Sequence, residues 1–131
     1  MIQWYLSRAR QNPARQDRIG IFNRSAGKGS RDLVLEMAVL NVKSGEAEAF
    51  EAAFVQASPL IAGSPGYIRH ELQRCVETPN RYLLLVWWET LEAHTVGFRG
   101  SPAFEQWRTL LHHFYDPRPV VEHYTSWFSN P

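Results

Sequence analysis

From Leu83 to Trp88 the chain reads "LLLVWW", apolar at every position. Successive residues of a strand point to opposite faces, so this segment needs cover on both. The other segments are more ordinary. "LVLEMAVLNV" (Leu33 to Val42) reads as a strand with Val34, Glu36, Ala38 and Leu40 on one face. "KSG" turns the chain, and Ser44 is placed to cap the next helix. In "EAEAFEAAFVQAS" the residues Ala47, Phe50, Phe54 and Ala57 make one apolar stripe at helical spacing. Pro59 and then "GSPG" are expected to stop that helix. "YIRHELQRCV" (Tyr67 to Val76) alternates, with Ile68, His70 and Leu72 on one side and Tyr67, Arg69, Glu71 and Gln73 on the other. After the turn "ETPN" comes "RYLLLVWWE", the most apolar strand. A helical region follows from about Leu91 to His113, broken at "RGSP", where Ser101 caps a second helix and Pro102 occupies its first position. "YDPRP" ends it, and "VVEHYTSWF" (Val120 to Phe128) reads as the last strand.

The predicted order is β-α-β-β-α-β. With right-handed crossovers this gives an α+β fold, a ferredoxin-like antiparallel sheet with both helices on one face. The helices cover one apolar face of the third strand and leave the other bare. Of Trp87 and Trp88, one must lie under the helices and one on the open side. Covering that side with a second copy of the sheet, related by a two-fold axis, removes the exposed Leu and Trp surface from water. A homodimer is therefore expected.

Composition narrows the picture. The chain has 131 residues, 44% hydrophobic and 21% charged, as in ordinary globular proteins. A single cysteine, Cys75, excludes a disulfide framework and a cysteine-rich zinc site and fits a reducing cytoplasm. No apolar run reaches membrane-spanning length, and "MIQWYLSRARQ" has no signal-peptide core, so no membrane association and a cytoplasmic location are expected. Charge is uneven: residues 1–33 hold seven Arg or Lys against two Asp, and the remainder seven against eleven acidic residues. Residues 1–32 show no sustained period and read as a basic, poorly ordered extension ahead of a domain at 33–128. "SAGKGS" lacks the glycine spacing of a phosphate loop, and no nucleic-acid partner is expected.

Several stretches together resemble the antibiotic biosynthesis monooxygenase (ABM) family: "LEMAVLNVKSGEAEAFEAAF", "SPGYIRHELQR", "NRYLLLVWWETLEAHTVGFRGSPAFEQW" and "VEHY". The resemblance runs from about Leu33 to Trp127. It implies a dimeric α+β barrel built from two ferredoxin-like units. It also implies one of three activities: cofactor-free oxygenation of phenols or quinols, heme degradation, or a role without catalysis, such as binding an aromatic metabolite. The Asn, Trp and His of heme-degrading members fall near Ala38, at Phe98 and beside Trp107 or Arg108, and none matches. The expectation is a phenol- or quinol-type aromatic substrate, molecular oxygen as co-substrate, and no cofactor.

Such chemistry requires a base, donors for a developing oxyanion and apolar walls. His94, just after strand three with Phe98 four residues on, is the expected base, because imidazole titrates near neutrality. His70, alternating with Ile68 and Leu72, is a second candidate facing inward, and Arg99 is placed to hold an anionic substrate oxygen. Trp87, Trp88, Phe98 and Trp107 are candidate walls of a pocket between helices and sheet. His113 and Tyr124 are further candidates; His123 and Tyr124 point to opposite faces, so at most one reaches that pocket. His112 and His113 lie about 100° apart on a helix, not at the spacing of a helical metal pair, so no metal site is expected.

Overall fold

The computed structural model describes residues 32–131; the basic extension expected over residues 1–32 lies outside the described residues except for its last position. A four-stranded antiparallel sheet carries two helices. Its strands are β1 (Val34–Asn41), β2 (Tyr67–Arg74), β3 (Arg81–Trp88) and β4 (Val121–Thr125), in the spatial order β2-β3-β1-β4. Helix α1 (Ala47–Ala62) joins β1 to β2, and α2 (Pro102–Leu111) lies between β3 and β4. This is the ferredoxin-like α+β arrangement expected from the pattern.

Register sets the two faces. β1 pairs with β3 as Val34↔Trp88, Glu36↔Val86, Ala38↔Leu84 and Leu40↔Tyr82, and all eight of these side chains are buried beneath the helices. Phe50, Phe54, Ala57 and Ile61 of α1 and Trp107 and Leu111 of α2 close over them into one cluster. The intervening residues Leu35, Met37, Leu83, Leu85 and Trp87 occupy the opposite face and remain half-buried, with Val39 exposed. Trp88 is thus the tryptophan under the helices. Trp87 lies on the open face, where the Arg69 guanidinium sits 4.2 Å from its ring centroid.

Four local features differ from the sequence reading. Ser44 does not cap α1: the turn runs through Gly45 at φ +83°, and Glu46 takes the cap position without a side-chain bond. Pro59 lies inside α1, which continues one more turn to Ala62. A proline costs a helix its own N–H bond, and here Gly63 N–H bonds back to Pro59 O to finish the turn. In β2 a bulge falls between Tyr67 and Arg69, so that Tyr67 opposes Trp88 while Arg69 opposes Trp87. One extra residue reverses the alternation on one side of the bulge: Tyr67 joins the helix-side face with His70 and Leu72, and Ile68 is left exposed. Finally, β4 ends at Thr125, short of the expected Phe128.

The helical region after β3 is two pieces. Ala93–Phe98 is a single turn of π-helix, closed by Arg99 N–H to His94 O at 3.1 Å. Ser101 then caps α2, accepting from Phe104 N–H at 3.3 Å, with Pro102 at the first position as expected. The π-turn is seated against the sheet by Gly66, at φ +85°: a Cβ there would meet the Ala93 Cβ at 2.6 Å, so only glycine fits.

Candidate functional site

At the end of β1 and β3 a line of polar groups enters the core. Glu36 belongs to the buried stripe of β1, diagonal to Trp88 of β3 on the same face. Trp88 donates its indole N–H to Glu36 Oε1 at 2.9 Å. The π-turn delivers His94 to the same oxygen, with Nε2 3.4 Å away, and His94 is itself only 3% exposed. Its other nitrogen, Nδ1, lies 2.8 Å from Nε2 of His123, which edge strand β4 directs to the helix side. Trp88 and His94 stack with ring centroids 5.2 Å apart and planes 18° apart. Phe98, one turn on, lies against both rings, 6.4 Å from His94 and 6.0 Å from Trp88, and meets Trp107 edge-on at 5.8 Å.

The surroundings redistribute the titrations. Burial raises the Glu36 carboxyl to about 7; the Trp88 hydrogen bond and the Arg99 charge oppose the rise without cancelling it. Burial, then Arg99 and His123, push His94 down to about 3. His123 is lowered by burial and by Arg99. The group that titrates near neutrality is therefore Glu36. His94 is a neutral imidazole between a carboxyl and a second imidazole.

Chemically, the line has the order of groups a proton relay requires. With Glu36 ionised, Trp88 N–H donates to the carboxylate, His94 Nε2 lies 3.4 Å from the same oxygen, and in the tautomer protonated at Nε2 His94 Nδ1 accepts from His123 Nε2–H. A proton arriving at His123 Nδ1 can pass through both rings and end on the carboxylate, each ring exchanging one tautomer for the other. The inner end is buried. The outer end, His123, is half-buried and lies near exposed Arg99, whose charge acts on all three groups.

The sequence-derived candidates divide accordingly. Trp88, His94, Phe98 and Trp107 come together around the relay, with Arg99 at its rim. His70 stands apart in a second network, where its Nε2 lies 2.9 Å from Ser58 Oγ and its Nδ1 contacts the Tyr67 hydroxyl. Tyr67 meets the Trp88 ring edge-on at 6.1 Å. Three candidates lie elsewhere. Trp87 is on the open face, because it is one residue out of phase with Trp88. Tyr124 is exposed, bonding Glu122 at 2.9 Å, because His123 takes the inward position on β4. His113 is exposed on a short 3₁₀ turn (His112–Phe114) beyond α2, against the Phe114 ring. His112 rests between Phe104 and Tyr115.

Glu36 and His123 were not among the sequence candidates. The signal for Glu36 was present, a lone carboxylate in the stripe Val34, Ala38, Leu40, since a buried acid needs a partner. His123 needed the inward phase of β4, which the sequence left undecided. The expected helix-side pocket is filled at this end by Trp88 and Phe98, both essentially inaccessible. Two surface hollows, one lined by Glu51, Leu72, Arg74 and Tyr82 and one by Gln56, Glu105, Gln106, Thr109 and Leu110, lie away from it.

Comparison with known proteins adds to this geometry. Residues 33–110 match the family described as antibiotic biosynthesis monooxygenase. The chain is 54% identical over 92 residues to the uncharacterized protein YczJ of Bacillus subtilis, covering 70% of this chain and 97% of that one. A candidate antibiotic biosynthesis monooxygenase of Bordetella bronchiseptica superposes with a TM-score of 0.71 at 36% identity, over 75% of this chain and all (100%) of the other. SnoaB of Streptomyces nogalater, a cofactor-independent oxygenase, superposes with a TM-score of 0.67 over 76% of this chain and 98% of its own; at 24% identity that likeness shows the fold alone. Among the described residues no helix is long and apolar enough to cross a membrane.

Proposed function

We propose that this chain, which belongs to the antibiotic biosynthesis monooxygenase family, is a homodimeric, cofactor-independent monooxygenase of small phenol- or quinol-type aromatics. The observation that carries the reading is the relay from half-buried His123 through His94 to buried Glu36, whose carboxyl titrates near 7. A phenolic substrate whose keto form carries an acidic CH₂ needs one base of about that strength. The cofactor-independent chemistry of SnoaB, a protein of the same fold, is consistent with it.

In the proposed reaction, a substrate at the rim gives its proton to His123, and the relay delivers it to Glu36. Arg99 faces the resulting oxyanion. The anion transfers one electron to O2; the substrate radical and superoxide combine into a peroxide anion, and the proton stored on Glu36 returns to make the hydroperoxide. Loss of water leaves the ketone. The CH₂ carbon is oxidised by four electrons, one oxygen atom entering the product and the other leaving as water. The protein supplies proton storage and an opposing charge.

Oxygen uptake with a panel of anthrones and hydroquinones, for the wild type, His94→Ala and Glu36→Gln, tests this. Uptake by the wild type that falls at least about 100-fold in both variants is expected, the range of a lost general base. Tight binding of these aromatics with no uptake would replace the reading with that of a binding protein.

A further inference from the structure

We propose that Trp88 is a positioning residue of the relay, its indole N–H fixing one carboxylate oxygen of Glu36 while its ring face fixes the plane of the His94 imidazole. The inference rests on the functional reading above, and adds to it the group that keeps the relay assembled. Three observations converge on one side chain. Trp88 is the largest of the fully buried residues, so its orientation is held by the core and not by the site. Its Nε1 donates to Oε1 of Glu36, the same oxygen that faces His94 Nε2 at 3.4 Å. Its ring lies nearly parallel to His94, on which Phe98 also stacks.

The arrangement has a chemical consequence. A long 3.4 Å approach between Nε2 and Oε1 leaves the His94 ring free to tilt unless something else defines its plane. Trp88 and Phe98, stacked on His94, define it. The indole can only donate, so its bond favours the ionised carboxylate, the form ready to take a proton. A purely apolar side chain of the same shape would leave Glu36 protonated at higher pH and the relay blocked. The titratable and charged groups that bear on Glu36 are His94 from the π-turn, Arg99 just after it, and His123 from β4 through His94. From β2, Tyr67 reaches the edge of Trp88 and not the carboxyl.

The test needs no substrate, which separates this inference from the functional reading. In chain labelled with 13C at the glutamate carboxyls, the Glu36 signal, assigned by its absence in Glu36→Gln, is titrated in the wild type and in Trp88→Phe. Phenylalanine keeps a ring against His94 and lacks the N–H. Losing a donor to a charged acceptor removes stabilisation of the ionised form, so the midpoint is expected to move up, by about one pH unit. Where the oxygenase activity is measurable, the acidic limb of its pH profile moves up with it. A midpoint that stays or falls overturns the proposal, whether or not the protein is active. A second measurement stands if the Phe variant does not fold. In the wild type the Trp88 indole N–H resonance follows the Glu36 titration, and in Glu36→Gln it is flat through the same range; an indole signal that ignores Glu36 also overturns the proposal.

Discussion

One residue, Glu36, makes this site differ from a plain hydrophobic core. An acid 5% exposed, among Val34, Ala38 and Leu40, holds its proton more tightly in the folded chain than in the unfolded one. A raised carboxyl contributes stability that is fully present below its unfolded value of 4.5 and is lost as pH rises through about 7. His94 works in the opposite sense: lowered from 6.5 to about 3, it contributes stability above 6.5 that is lost as pH falls. The two oppose each other below 6.5, and above it Glu36 acts alone of the pair. Between pH 6.5 and 8.5 the wild type is therefore expected to lose stability relative to Glu36→Gln, by about 1 kcal/mol. Urea denaturation of both proteins at the two pH values measures it. Equal dependence in both would mean that Glu36 is already ionised at pH 6.5.

At the scale of elements, periodicity carried most of what the structure contains. The stripe Phe50, Phe54 and Ala57 is buried as read, and Ser101 with Pro102 opens α2. What the pattern could not carry were departures from period. The bulge after Tyr67 adds one residue to β2, and that shift brings Tyr67 beneath the helices beside Trp88. The π-turn is a like departure in a helix, one extra residue in a turn whose His94 and Phe98 are both buried. Such insertions are set by long-range packing, here Gly66 against Ala93, and leave no local signature. Pro59 misled for a related reason, since a stop signal in the last turn of a helix costs little when the next carbonyls are met by a turn. Alternation showed that Trp87 and Trp88 face opposite sides, and left to the register which of them lies under the helices. The site was not legible where it depended on which face an edge strand shows, as with His123 against Tyr124.

For the whole molecule, the open face of the sheet is the remaining question. Leu35, Met37, Leu83, Leu85 and Trp87 lie there half-buried with Val39 exposed, and Arg69 reaches over Trp87. A contiguous apolar sheet face of this kind is a site of association, and the proposed homodimer covers it. Sedimentation at micromolar concentration is expected to give a two-chain species. Leu85→Lys, which places a charge in the middle of that face, should shift it to single chains; a folded single chain for the wild type would remove the dimer from the account.

In the proposed reaction the proton leaves first, and oxygen comes after. Mixing the wild type with an anthrone under strict anaerobic conditions tests this directly by the red-shifted absorbance of the bound anion. The anion is expected to form without oxygen in the wild type, near pH 7.5, and not to form in Glu36→Gln. An anion of equal yield in both proteins, or none in the wild type until oxygen is admitted, would contradict it.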